Sequence, residues 1–182
     1  GSSDLIGLVP VVTSLKLPFS HLSQIKNIDG FYNLKKLCLD NNNIKEIKNL
    51  SHLVHLEWLD LSFNQIQRIE GLENLTKLKD LSLFANEISD VGTNLLPCAG
   101  SLECLSLGNN QLESLDQILK LRPLGLKMVS LSGNPLTEEP DYQATALAFL
   151  PNLRYLDFRQ VRPEEVEKAV EGFQDELIDL QD

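Results

Sequence analysis

The chain has 182 residues, 42% of them hydrophobic and 23% charged, with a formal net charge of −10 at pH 7. That length suits one domain of ordinary size, and the acidic balance disfavours direct contact with nucleic-acid phosphates while leaving a basic protein face as an electrostatic match. No apolar run approaches the ~20 residues of a membrane span, so no membrane partner is expected.

Residues 1–11 read as a lead-in. Gly1-Ser2 without a methionine resembles a cloning remnant on a trimmed chain. From Val12 onward one spacing recurs: apolar, two residues, apolar, one residue, apolar, then a turn residue. Val12, Leu15, Leu17 and Ser20 form a degenerate copy. Full copies ending in asparagine follow at Leu34–Asn42, Leu56–Asn64, Leu78–Asn86, Leu102–Asn110 and Leu126–Asn134. Their first residues are 22, 22, 24 and 24 apart. Leu153, Leu156, Phe158 and Val161 make a last degenerate copy. Five full repeats and two end repeats span residues 12–162 and leave no room for a second domain.

Within a copy such as Leu56–Asn64, Leu59 and Leu61 sit two apart and share one side of an extended chain, while Trp58, Asp60 and Ser62 take the other. Asn64 stands where a short amide can bond turning backbone. One unit cannot bury its leucines alone, so copies must stack. Between the predicted strands, apolar residues fall every third position, as in Leu22, Ile25, Ile28, Phe31 and Leu34, which fits 3₁₀ turns. The fourth repeat loses this period from Gly92 to Gly100, and a local loop is expected there. The fifth resumes it at Leu112, Leu115, Ile118, Leu121 and Leu124. Tyr142–Leu150 reads as a helix with Tyr142, Ala146, Phe149 and Leu150 inward, stopped by Pro151.

Residues 163–182 carry eight acids and one lysine. Pro163, Glu164 and Glu165 suit a helix start. Val166, Val170, Phe173, Leu177 and Leu180 follow a heptad spacing. Two readings compete: a helix folded back over the last repeat, or the root of a coiled coil. Gly172 could mark a bend between them.

The pattern is that of a leucine-rich repeat solenoid of the α/β class. It predicts a curved parallel sheet on the concave face, 3₁₀ turns and short helices on the convex face, and a C-terminal helix. Three concave rows follow from the spacing. The first is Ser14, Lys36, Trp58, Asp80, Cys104, Met128 and Tyr155. The second is Lys16, Cys38, Asp60, Ser82, Ser106, Ser130 and Asp157. The third is Pro18, Asp40, Ser62, Phe84, Gly108, Ser132 and Arg159. Large apolar groups on a face with no core beneath them point to a contact surface. Trp58 and Phe84 are the expected anchors, with Asp80, Met128, Tyr155, Arg159 and Lys36 around them. The competing reading is that Trp58 only covers its neighbours. Phe63 and Phe158 are assigned instead to the buried turn layer. Lys26, Lys35, Lys36, Lys45 and Lys48 could face an acidic partner or simply keep the surface soluble.

His21, His52 and His55 fall in convex segments, and no His or Cys stands at ligand spacing beside Asp60, Asp80 or Asp157. No metal site, nucleophile–base pair, phosphate loop or cofactor is expected, and the chain is read as non-catalytic. Cys38 and Cys104 would lie ~14 Å apart, too far for a disulfide. The odd count of three cysteines and the lack of disulfide-rich caps fit a reducing, intracellular setting.

Asn134-Pro135 and the run from Tyr142 through Leu150-Pro151-Asn152-Leu153 to Leu156-Asp157 resemble the end cap of the protein-phosphatase-regulator (SDS22-like) class of intracellular repeats. Within that class, Leu39-Asp40-Asn41-Asn42, Trp58–Asn64, Ile69–Thr76, Leu81–Phe84, Leu105–Asn110 and Leu131–Pro135 resemble the dynein regulatory complex subunit 3 family across residues 9–162. The longer fourth repeat is a departure. The resemblance implies a subunit of the nexin–dynein regulatory complex on the ciliary or flagellar axoneme, part of the cytoskeleton, that helps control dynein motility. Its partners would be other subunits, with inner-arm dynein and tubulin as further candidates. It also implies a coiled coil after the repeats. The alternative is a regulatory subunit of a protein phosphatase or an acidic nuclear adaptor.

Overall fold

A computed structural model of the chain describes residues 11–179, so the lead-in up to Pro10 and the last heptad position, Leu180, lie outside it. Eight short strands form one sheet in sequence order. They are β1 Ser14–Lys16, β2 Lys36–Cys38, β3 Trp58–Asp60, β4 Asp80–Ser82, β5 Cys104–Ser106, β6 Met128–Ser130, β7 Tyr155–Leu156 and β8 Arg159–Gln160. The first seven run parallel, and β8 folds back antiparallel on β7. Ser14 pairs with Lys36, Lys36 with Trp58, Trp58 with Asp80, Asp80 with Cys104, Cys104 with Met128, and Met128 with Tyr155. That register is the first concave row. The stack of leucines behind it, including Leu37, Leu59, Leu81 and Leu105, is almost wholly removed from water. The result is the curved parallel sheet of a leucine-rich repeat solenoid.

Period three on the convex side works through i to i−3 backbone bonds. Leu53 N–H donates to Leu50 O and Leu56 N–H to Leu53 O, each at 2.9 Å, and all three leucines are buried. The fourth repeat uses a wider path: Val91, Leu95, Cys98 and Leu102 are buried, with a 3₁₀ segment at Leu96–Cys98. The fifth departs from the expected turns. It forms α1, Asp116–Leu121, followed by a 3₁₀ turn at Arg122–Leu124. Its two extra residues over the 22-residue repeats give room for a full α turn, and Ile118, Leu121 and Leu124 still reach the core.

An asparagine ladder closes the other edge of the core. Asn64 Nδ2 donates to Leu39 O, Leu61 O and Ser62 O at 3.0, 3.0 and 3.1 Å, and its Oδ1 accepts Ile44 N–H at 3.0 Å. Asn42, Asn86, Asn110 and Asn134 sit equivalently, all buried. At the last repeat a different residue, Asp157, from the row of Ser130, bonds the preceding repeat's backbone. It accepts the N–H groups of Leu131 and Ser132 on one oxygen and the Tyr142 hydroxyl on the other. Burial, the bond to Asp157 and its charge together push the Tyr142 pKa upward. Asp157 is thus a closing bracket for the solenoid, not the open concave carboxylate its spacing suggests.

The C-terminal end is covered by helices: α2, Tyr142–Phe149; α3, Pro163–Gly172; and α4, Gln174–Asp179. Ala169 of α3 is buried, Val166 packs partly against the core, and Phe173 meets Phe149 edge-on with centroids 5.5 Å apart. Phe173 lies between α3 and α4 in a non-helical conformation, so the heptad-spaced residues do not lie on one continuous helix among the described residues. Glu165 accepts the Arg162 N–H, as the return bond of a helix cap, and also the Arg159 guanidinium, both at 2.9 Å.

Candidate protein-docking face

The concave face is built from side chains that strand alternation turns away from the leucines. Trp58, Asp80, Cys104 and Met128 are half-buried along the first row, Lys36 is exposed at one end, and Tyr155 is 40% exposed at the other. The third row continues past the strand ends through backbone bonds: Asn41 N–H to Ser62 O, Phe63 N–H to Phe84 O, and Ala85 N–H to Gly108 O, at 3.0, 2.8 and 2.9 Å. Phe84 lies half-buried over the next repeat because position 108 has no side chain. A Cβ there would sit 2.8 Å from two Phe84 ring carbons.

Four expectations are corrected at this surface. Arg159 does not extend the third row. It belongs to the antiparallel β8, and its guanidinium is held by Glu165 on α3. Phe63 is 51% exposed and meets Phe84 edge-on at 5.5 Å, so it extends the aromatic rim rather than the buried layer. Phe158 is 73% exposed. It lines a cleft of about 80 Å³ with Asp80, Cys104, Met128 and Ser130. Contrary to the expectation that no Cys stands beside Asp60 or Asp80, Cys38 is an in-register cross-strand neighbour of Asp60, and Cys104 of Asp80.

Phe63 was legible in principle. Phe19, Asn41, Phe63, Ala85, Asn109 and Gly133 occupy equivalent positions, and all have positive φ. A position that is also Asn or Gly elsewhere is an exposed turn. Phe158 carries no such signal, because the β7–β8 reversal that aims it is tertiary.

Three carboxylates cross the face diagonally: Asp40 after β2, Asp60 in β3 and Asp80 in β4. Asp60 accepts the Ser62 N–H at 2.9 Å and the Ser62 hydroxyl. Asp40 accepts the Cys38 thiol and the Asn41 amide, each at 2.6 Å. Burial raises the Asp40 pKa, but these two bonds outweigh it and leave the group below its ordinary value. The Cys38 thiol is pushed up to about 11, chiefly by burial and then by its bond to Asp40. Asp80 is shifted upward by burial and by repulsion from Asp60. Cys38, Asp40 and Asp60 place one potential ligand atom each within 4.8 Å of one another, a spacing compatible with a metal ion. The Cys38–Asp40 bond accounts for part of that clustering, and Asp60 is bonded to Ser62 instead of to either of them.

A family profile described as "Leucine-rich repeat" matches residues 35–178. The chain belongs to the leucine-rich repeat family. Its repeat domain is an interaction scaffold of the kind this family supplies. A 36-residue stretch, 20% of the chain, is 53% identical to dynein regulatory complex subunit 3 of Macaca fascicularis and covers 7% of that protein. A stretch of 85 residues, 46% of the chain, is 33% identical to U2 small nuclear ribonucleoprotein A′ of Saccharomyces cerevisiae and covers 35% of it. The matches thus span only a minor part of these relatives. Among solved structures, an internalin from Listeria monocytogenes superposes with a TM-score of 0.68 at 26% identity, covering 83% of this chain and 48% of that one. The Drosophila melanogaster SNF/U2A′ complex gives 0.58 at 26% identity, covering 92% and 86%. Among the described residues of this leucine-rich repeat chain, no helix is long and apolar enough to cross a membrane.

Proposed function

We propose that the chain is a non-catalytic scaffold of the nexin–dynein regulatory complex in the axoneme, docking another protein subunit on its concave face. The observation that carries the docking reading is the half-buried group Trp58, Phe84 and Met128 on the side of the sheet opposite the leucine core. Large side chains in such a setting gain from a partner that removes their remaining exposed area. Trp58, Phe84, Asp80 and Met128 form the centre, Phe63 extends it, and Tyr155 and Lys36 flank it. The axonemal assignment draws support from the short match to dynein regulatory complex subunit 3.

Trp58→Ala with Phe84→Ala should remove cross-links to neighbouring subunits when tagged protein is expressed in ciliated cells and analysed by cross-linking mass spectrometry. Cross-links unchanged in number and position would refute the concave-face assignment. A second reading, an adaptor in a nuclear ribonucleoprotein or a phosphatase regulator, draws its support from the likeness to the SNF/U2A′ complex, which extends over 92% of the chain. Nuclear or cytosolic localisation of the tagged protein would favour that reading; axonemal localisation favours the first.

A further inference from the structure

Every carboxylate beside the docking centre, with one exception, is already engaged. Glu57 is paired with Lys79 and Lys35, Glu103 with Lys127, Asp40 with Cys38 and Asn41, and Asp60 with Ser62. Asp80 has no hydrogen bond or ion pair among the described residues, although it is half-buried. Its two in-register neighbours are Trp58 and Cys104, and neither supplies a cation. The first row's lysine, Lys36, pairs across the sheet with Trp58 on the side away from Asp80. A half-buried carboxylate without a partner is poorly hydrated and uncompensated. On one side of it is an indole with exposed area, and on the other a cleft lined by Met128 and Phe158.

We propose that Asp80 and Trp58 form the seat for an arginine side chain carried by the protein partner. A guanidinium satisfies both walls at once. It stacks flat on an indole and gives two parallel N–H bonds to a carboxylate. A lysine ammonium fits less well, because it is a compact, strongly hydrated point charge. The chain's net charge of −10 favours approach of a basic segment. The proposal rests on the concave-face reading and adds the chemistry of the group that face receives.

Trp58 is the chain's only tryptophan, so its fluorescence reports this seat alone. The probes are short acetylated, amidated peptides centred on arginine, lysine or citrulline, titrated into the folded protein at pH 7. The arginine peptide should give a saturable change, the lysine peptide a several-fold weaker one, and the isosteric, neutral citrulline peptide none. Asp80→Asn should weaken the arginine peptide about tenfold or more. Its circular dichroism and thermal midpoint should match the parent. Equal binding of the arginine and citrulline peptides, no saturable binding of arginine, or unchanged affinity in Asp80→Asn would overturn the proposal. The cross-linking experiment separates the two layers. If Trp58→Ala with Phe84→Ala removes subunit cross-links while Asp80→Asn keeps them all, the docking face stands and the arginine seat falls. Loss of the same cross-links in Asp80→Asn supports the seat.

Discussion

Asn64 and Asp157 show how two different positions each suit a residue to the groups that face it. Around Asn64 stand three backbone carbonyls and one N–H, so the site needs both a donor and an acceptor. Around Asp157 stand two N–H groups and a hydroxyl, all able to donate. Asn64→Asp therefore sets a carboxylate against carbonyls and should cost ~2–4 kcal/mol of stability. Asp157→Asn should cost clearly less, because the Tyr142 hydroxyl can turn to accept. Urea denaturation of the two variants checks the order. Leu59→Ala removes a fully buried side chain and should cost ~2–5 kcal/mol by leaving a cavity. By contrast, Trp58→Ala with Phe84→Ala should leave the thermal midpoint nearly unchanged, since both rings lie on the far side of the sheet from that core.

The C-terminal helix α3 is held by its first turn as well as by its apolar face. The Glu165 carboxylate is drawn down to about 2, first by the Arg162 N–H and then by the Arg159 guanidinium. Its ordinary value is 4.5, so the folded pKa is depressed. The stabilising contribution is then complete above about 4.5 and fades as pH falls towards about 2. The NMR titration of the Glu165 side chain should show a midpoint near that lower value, and Arg159→Ala should move it upward. Arg159 thus fastens the cap to the terminal hairpin, a role its place in the repeat pattern does not announce.

Across the whole molecule, a charge ladder runs along the sheet edge just before the strands. Lys35, Glu57, Lys79, Glu103 and Lys127 alternate in sign from repeat to repeat. Glu57 reaches Lys35 at 3.7 Å and Lys79 at 2.8 Å, and Glu103 reaches Lys127 at 2.9 Å. Each exposed pair contributes little alone, but reversing one rung places like charges together on three successive repeats. Glu57→Lys should lower the thermal midpoint in dilute buffer, and the loss should shrink at about 1 M salt, where the Debye length is ~3 Å. A loss independent of salt would assign the effect to something other than charge. Since each repeat touches only its neighbours, damage at one rung should weaken the stack locally.

The repeat period, strand register, leucine core and first concave row were all legible before any coordinates, because strand alternation and a constant step are local rules repeated many times. The same regularity misled at the ends and insertions. The fifth repeat keeps period three in its apolar residues yet winds an α-helix through them. Asp157, Phe158 and Arg159 continue the rows on paper, yet the chain reverses after β7 and sends each elsewhere. Which carboxylates find partners was equally invisible, since Asp40, Asp60 and Asp80 look alike in sequence. Asp40 takes its thiol and amide, and Asp60 its serine, from residues one or two positions away, whereas Asp80 is left unpaired beside the indole of the neighbouring strand. That indole is 22 residues from Asp80 in sequence and is set beside it by stacking, which exists only once the chain has folded.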